Sequence, residues 1–459
     1  MPPSSTTTPT RRSEARRVLA GTLVGTTIEW YDFFIFAQLT ATLLTPLFLK
    51  PLSESNPGLG QILAFAMIGI SFLFRPLGAI VAGHLGDKYG RKRILVLTLI
   101  LMGAATALIG LLPTYDQIGL GAPLLLVLLR VIQGFSAGGE WGGAALMAVE
   151  HAPAGRRGYF GAYPQIGVPL GMILATGMLF ILRTIMTPEQ FTAWGWRIPF
   201  LLSVVLVIVG YLIRRAVEES PIFKQLALRK ASEHTPLKQL FQTNTKQVIQ
   251  AALIFVSNNA AGYLVIAFFI AYTTKVLHMP VAPVLLATTI GSVGWLIFTL
   301  VGGWLSDKIG RRATFLAGYA LVFVWMIPMF LLVDTGSVFF YGLGVFVLTI
   351  GLGLSYGPQS AMYAEMFPAH IRYSGISIGY AIGAILGGAF AATVAEVLLQ
   401  KTGWSGSIAL YIMALTVVSV AAVLWVGETR GNNLHVEDLD DELVRLAADG
   451  SAEGASDGK

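Results

Sequence analysis

The chain has no cysteine among its 459 residues, which excludes a disulfide framework, a thiolate metal site and a cysteine nucleophile. Charge is also scarce: only 12% of residues are Asp, Glu, Lys or Arg, against roughly 25% in soluble domains. The six histidines are scattered without the H-x-x-x-H or similar spacing of a ligand set, so neither a metal nor a cofactor is expected. No G-x-x-x-x-G-K-[ST] loop occurs, which leaves an enzyme the least favoured class. The formal net charge of +6 does not argue for nucleic-acid binding, because the cations sit in short loops between apolar runs.

What is present is apolar. Hydrophobic residues make up 55% of the chain. Runs such as Ile94–Leu112, Leu124–Val149 and Leu201–Ile213 meet or approach the ~20 residues that cross ~30 Å of hydrocarbon. The 51 glycines argue against exposed soluble helices, where each costs about 1 kcal/mol. Membrane helices use small residues for close approach. The pattern predicts an all-α membrane protein with twelve spans, near 19–42, 59–83, 94–112, 122–148, 158–183 and 197–217, then 248–274, 283–305, 314–333, 338–362, 374–399 and 406–427.

Residues 1–17, Pro/Ser/Thr-rich and then basic, read as a disordered arm. A signal peptide is disfavoured, because the apolar segment that follows is too long and carries Glu29 and Asp32. A first six-helix bundle then occupies 18–217, a polar, basic connector 218–247, a second bundle 248–427 and an acidic tail 428–459. Cations at 91–93, 156–157, the connector, 308–312 and Arg372 gather on one side. The other side keeps isolated cations such as Lys50, Arg183, Lys275 and Lys401. The positive-inside rule then places both termini in the cytoplasm, and the even span count agrees.

One loop is written twice, 220 residues apart, from Gly83 and again from Gly303. Gly83-His84-Leu85-Gly86-Asp87-Lys88-Tyr89-Gly90-Arg91-Lys92 and Gly303-Trp304-Leu305-Ser306-Asp307-Lys308-Ile309-Gly310-Arg311-Arg312 share the pattern G-x-L-x-D-K-x-G-R-[KR]. A second pair runs Glu150 to Arg157 and Glu365 to Arg372, each with Pro-Ala at its centre. Two motifs recurring in one order mean a duplicated unit, and duplicated membrane halves mark secondary transporters.

On these loops the chain resembles the major facilitator superfamily over essentially its whole length. Arg130-Val-Ile-Gln133-Gly134 is similar to that superfamily's R-x-x-Q-G motif. Within it the chain resembles the metabolite:H⁺ symporters, on the strings Ile28-Glu29-Trp30-Tyr31-Asp32-Phe33, Phe74-Arg75-Pro76-Leu77-Gly78, Gly138-Gly139-Glu140-Trp141-Gly142-Gly143 and Trp194-Gly195-Trp196-Arg197-Ile198-Pro199-Phe200. The stretches 122–130 and 191–196 lean toward the shikimate-type branch. The tail lacks the long coiled coil of the osmosensing members. The resemblance implies two pseudo-symmetric six-helix bundles in a bacterial cytoplasmic membrane, importing a small carboxylate with protons by alternating access. The alternatives are uptake of a proline/betaine-type zwitterion and an uncoupled facilitator. The expected partners are that small molecule, protons and the lipid bilayer, with no nucleic acid, and a monomer is expected.

An ionisable group at bilayer depth costs ~2.5–3.5 kcal/mol on the insertion scale, so each needs a reason. Glu29 and Asp32, three apart near the middle of the first span, share a helix face. Coupling needs a carboxyl whose proton affinity changes between access states; Asp32 is the first candidate and Glu29 the second. Arg130 is the candidate anion clamp, since a planar guanidinium holds carboxylate bidentately, and Gln133 shares its side of the helix. Arg75 and Glu140, at similar depth on the second and fourth spans, read as a structural ion pair. Tyr163 and Gln165 flank Pro164. Asn258, Asn259 and Tyr263 lie in the seventh span, and Tyr356, Gln359 and Tyr363 in the tenth. Each is a candidate hydrogen-bond partner of substrate, and equally a candidate glue between helices. Asp87 with Arg91, and Asp307 with Arg311, stand four apart, the spacing at which acid and base meet on a helix. The resemblance implies a latch: the Asp caps a neighbouring helix N-terminus and the Arg pairs with a nearby acid. Glu150, Arg157, Glu365 and Arg372 complete the expected networks. Plain positive-inside anchoring would need only the cations, and both copies keep the Asp.

Overall fold

The computed structural model describes residues 8–89, 91–138, 140–153, 155–215, 236–368, 371–432 and 434; the side chains at 8–18, 53, 83–95, 213–215 and 236–239 lie outside that description. Among the described residues, ten helical segments are long and apolar enough to cross a membrane: α1 Leu19–Phe48, α2 Pro57–Ala82, α4 Gly121–Glu150, α5 Arg157–Ile185, α7 Thr245–Val276, α8 Val281–Ile309, α9 Arg311–Val333, α10 Val338–Met366, α11 Arg372–Thr402 and α12 Gly406–Trp425. The shorter apolar helix Val96–Leu111 is α3, and the pair Pro188–Gly195 and Arg197–Leu212, bent by 49°, is α6. The expected twelve spans each fall on one of these.

One expectation at the edges is corrected. The first helix begins at Thr8, so the second part of the expected arm is helical; Arg, Glu and Ala in 11–17 are good helix formers. Residues 1–7 lie outside the described residues. In the connector a short helix covers Pro236–Thr243, while 216–235 lie outside the described residues, as do 435–459 of the tail.

Helix ends follow local chemistry. Pro57 opens α2 at a position needing no N–H, and the Asn56 side chain accepts from Leu59 N. Thr187 and Gln190 form a capping box at the start of α6. Gly403, at φ +64, closes α11 in the left-handed region. Several spans are broken inside the bilayer. α10 stops at Tyr356 and resumes at Gln359 across Gly357-Pro358, because proline supplies no N–H and crowds the preceding turn. α4 is interrupted between Ala137 and Glu140. π-helical turns interrupt α7 at Leu264–Phe268 and Tyr272–Val276, and α11 at Ile385–Ala389. Irregular backbone is tolerated at this depth where protein covers it.

α1 to α6 and α7 to α12 form two bundles. They meet along α5 against α8 and α2 against α11, with α4, α10 and α11 filling the middle. The innermost helices are the first of each half: 83% of the apolar window of α1 and 94% of that of α7 is buried, against 39% for α9 and α12. Ionisable and polar residues on α1 and α7 are therefore central, while α9 and α12 are peripheral. At the α5–α8 seam a Cβ on Gly303 would lie 2.6 Å from the Gly158 carbonyl oxygen. Only glycine lets the two backbones touch there.

Candidate functional site

Within the first bundle, α1 carries Glu29 and Asp32 on one buried face, each only 1% exposed. Arg75, just past the Phe74 break in α2, brings its Nη2 to 3.6 Å from Glu29 Oε1. The expected pairing of Arg75 with Glu140 is thus corrected: the ion pair at Arg75 runs to α1. Depth along a span is legible in a sequence, but the face on which a side chain leaves is not. Glu140 is buried at the start of the second segment of α4.

Asp32 connects in the other direction. Its Oδ2 accepts from Thr106 Oγ1 at 3.0 Å, and Thr106 accepts from Gln133 Nε2 at 2.7 Å. Gln133 Oε1 in turn accepts from Arg130 Nη1 at 2.8 Å. Arg130 is fully buried, and its remaining donors reach Ser71 Oγ at 2.9 Å and the carbonyls of Met67 and Ile68. A chain of hydrogen bonds therefore links carboxylate and guanidinium across α1, α3 and α4. Both guanidinium groups lie over aromatic rings: Arg75 is 4.5 Å from the Phe72 centroid, and Arg130 is 4.0 Å from Phe36. Phe33 stands between them, 5.8 Å from Arg75 and 5.0 Å from Arg130. Glu29, Asp32, Arg75, Arg130 and Gln133 line one small cavity, with room for about one water molecule.

The second bundle closes over this cluster from α7, α10 and α11. Tyr263 meets the edges of Phe33 and Phe72 at 5.6 and 5.3 Å. Trp141 of α4 stacks on Tyr380 of α11 at 3.7 Å, and Phe255 continues the stack at 4.7 Å. Gln165 spans the halves: it accepts from Trp141 Nε1 at 2.8 Å and donates to the Tyr356 carbonyl at 3.3 Å and to Gln359 Oε1 at 3.4 Å. Among the described residues, no hydrogen-bond partner reaches Tyr263 Oη, Asn259 Nδ2, Gln359 Nε2, Trp30 Nε1 or Ser377 Oγ, all buried. Unmet buried donors cost roughly 1–3 kcal/mol each.

Two candidates are placed elsewhere. Asn258 donates to the Leu352 carbonyl and Ser355 Oγ, bracing α7 to α10 inside the second bundle. Tyr163 meets Tyr159 one turn down its own helix, at 3.2 Å between hydroxyls.

The end that carries the basic loops is shut by charge. Asp307 Oδ1 and Oδ2 accept from Gly158 N and Tyr159 N, each at 2.8 Å, so an acid of the second bundle caps α5 of the first. Arg311 holds Asp307 at 2.6 Å and Glu365 in a two-pronged contact at 3.1 and 3.2 Å. Arg157 stands 3.5 Å from Glu365, and Arg372 3.9 Å from Glu150. The first residues of the tail lace this end together. Glu428 caps α9 at Arg311 N and Arg312 N. Thr429 donates to Glu365, and the Asn432 carbonyl accepts from Arg157. Asp87 and Arg91, in the first copy of the loop, have side chains outside the described residues.

The opposite end is held by less. Lys275 of α7 donates to Gln61 Oε1 of α2, Gln400 of α11 donates to the Gly58 carbonyl at 3.2 Å, and Thr289 of α8 donates to Thr176 of α5 at 2.7 Å. Contacts between the bundles among the described residues are thus present at both ends of the cleft.

Sequence reasoning missed Ser71, Thr106, Tyr380, Glu428 and Gln61. A lone hydroxyl or amide inside an apolar run carries no pattern. Glu428, three residues past an apolar run and beside Thr429, has the composition of a cap, which was the available signal.

A family model described as Major Facilitator Superfamily matches residues 25–378. The chain is 36% identical over 417 residues to the Shikimate transporter of Escherichia coli (strain K12), covering 90% of this chain and 94% of that protein. It is also 36% identical over 424 residues to the Inner membrane metabolite transport protein YhjE of the same organism, covering 91% and 95%. In fold it is similar to the proton:xylose symporter XylE, with a TM-score of 0.73 at 18% identity over 92% of this chain and 98% of that one.

Proposed function

The chain belongs to the major facilitator superfamily, and from that premise we propose that this multi-pass metabolite transporter couples uptake of a small organic acid to protons. The observation that carries the reading is the hydrogen-bond chain from Asp32 through Thr106 and Gln133 to Arg130. A carboxyl and a guanidinium linked inside the bilayer have no structural economy to recommend them, because each ion costs several kcal/mol to bury. Linked groups of opposite charge can instead trade partners when a proton or an anion arrives.

In this reading Asp32 is the proton site and Glu29, held by Arg75, keeps the second cation balanced. The substrate carboxylate draws Arg130 from its internal partners. Gln165, Gln359, Asn259, Tyr263 and Tyr356, on the layer between the bundles, meet the rest of the substrate. The latch at Asp307, Arg311, Glu365, Arg157, Arg372 and Glu150 holds the cytoplasmic side shut, by analogy with Asp87 and Arg91 in the first copy. The bundles rock about the central layer. Both termini lie in the cytoplasm of a bacterium whose inner membrane carries the protein as a monomer. The drive is the pH gradient plus the membrane potential, worth ~2.3 kcal/mol per charge per 100 mV.

Uptake into proteoliposomes under an imposed gradient tests this with labelled shikimate, 2-oxoglutarate, citrate, a benzoate and glycine betaine. The expected result is accumulation of an organic acid that collapses with protonophore. In Asp32→Asn the same compound should equilibrate without accumulating. Accumulation of glycine betaine alone replaces the acid by a zwitterion. Equilibration without accumulation in the wild type makes the protein a facilitator.

A further inference from the structure

Thr106 sits in the middle of the relay, and its hydroxyl has more acceptors than protons. Its Oγ1 lies 3.0 Å from Asp32 Oδ2 and 3.0 Å from the Met102 carbonyl, four residues back on α3, while accepting from Gln133 Nε2. A hydroxyl has one hydrogen to give and two lone pairs to offer. It therefore donates either to Asp32 or to Met102.

We infer that Thr106 is the positioning residue that lets Asp32 gain and lose its proton inside the membrane, by turning its hydroxyl between the Asp32 carboxylate and the Met102 carbonyl. This rests on the reading of Asp32 as the proton site. With Asp32 ionised, the Thr106 hydrogen points at Oδ2 and makes a charge-assisted bond. When a proton arrives from water on Oδ2, the new O–H donates to Thr106 Oγ1, and the Thr106 hydrogen swings to the Met102 oxygen. One proton enters and none leaves; each polar group keeps a partner in both states without any heavy atom moving. Gln133 stays bonded to Thr106 throughout, so the link to Arg130 survives.

Thr106 is set apart from the other neighbours of Asp32 because its hydroxyl bonds both the carboxylate and Gln133. The groups about Asp32 are Glu29 and Tyr31 on its own helix, Arg75 on α2, Arg130 and Gln133 on α4, and Ser203 on α6. α3 itself carries no ionisable residue between Val96 and Leu111. Arg75 is engaged with Glu29. Arg130 spends its donors on Gln133, Ser71 and two carbonyls. The Ser203 hydroxyl donates to the Phe200 carbonyl and also lies within hydrogen-bond reach of Asp32, but it has no link to Arg130 among the described contacts.

The test needs no substrate. Infrared spectra of the purified full-length protein in lipid are recorded across a pH titration, and the carboxyl band absent from Asp32→Asn is followed. Thr106→Val keeps the shape and removes the hydroxyl, which penalises the ionised form. The band's midpoint should rise by about one pH unit, a tenfold change in proton affinity, in line with the strength of hydrogen bonds to charged groups. Thr106→Ser should restore the wild-type midpoint. If stranding the Gln133 amide prevents Thr106→Val from folding, the double variant Thr106→Val with Gln133→Leu removes that amide and should show the same rise. A titrating Asp32 band whose midpoint ignores the loss of the hydroxyl overturns the inference and leaves the symport reading intact. A midpoint that moves equally in Thr106→Ser makes Thr106 a packing residue and also overturns it. If Asp32→Asn removes no titrating band, both readings fall together.

Discussion

The two ends of the cleft between the bundles are closed by different chemistry. At the basic end, Asp307 caps α5 from the other bundle, and Arg311 holds Asp307 and Glu365 together in a buried cluster. Arg311 is 2% exposed, so these are charge-assisted contacts out of water. At the far end, two of the three cross-bundle hydrogen bonds join neutral groups, and the third is a lysine donating to the Gln61 amide. Neutral bonds contribute roughly 1 kcal/mol each, whereas removing one member of a buried ion pair costs about 3–5 kcal/mol. The two gates therefore break differently. The basic end fails as a unit when one charge goes, while the far end loosens one bond at a time.

The comparison can be broken or sharpened by spin-label distances, which the natural absence of cysteine makes straightforward. Labels on Arg156→Cys and Ile309→Cys report the basic end, and labels on Ile185→Cys and Leu286→Cys the far end. The largest effect is expected from Arg311→Ala, which strands Asp307 and Glu365 and should cost about 3–5 kcal/mol of closure. The basic-end distance should lengthen in most molecules; an unchanged distribution would show that packing rather than charge shuts this end. Asp307→Asn comes next. One amide oxygen can still accept at the α5 terminus but the charge is lost, so a smaller opening, about 1–3 kcal/mol, is expected. If it matches Arg311→Ala, the cap rather than the ion cluster is the latch. Thr289→Val, which removes a neutral bond, should produce the smallest change, about 0.5–1.5 kcal/mol, seen only in the far-end distance. A far end that springs fully open in this variant would overturn the graded picture.

The parts of this arrangement that were legible beforehand share one property: they were written as repeats or runs. Asp307, Arg311, Glu365 and Arg372 stand out because each has a counterpart in the other half; Arg311 joins Asp307 to Glu365, while Arg372 reaches Glu150. The helices were legible from apolar length. Depth alone pairs Arg75 with Glu140, whereas Arg75 reaches Glu29, because counting residues gives depth but not the face of a helix broken at Phe74. Asn258 and Tyr163 carry polar groups at the right depth yet point within their own bundle or along their own helix. Thr106 was invisible, since a threonine among apolar residues looks the same whether it bonds its own backbone or a carboxylate on another helix.

By itself, then, the sequence determined the class of molecule: twelve apolar helices, two related halves, and loops whose acids and bases come in matched sets. These follow from length, hydropathy and local spacing, which act within a few turns of one chain segment. Only the tertiary structure decided the partners. Whether Asp32 faces Thr106, whether Arg75 meets Glu29, and whether the tail at Glu428 caps α9 depend on helix rotation and packing between segments far apart in sequence. In a medium without water to satisfy them, those pairings are set by which polar groups the packed helices bring within hydrogen-bond reach.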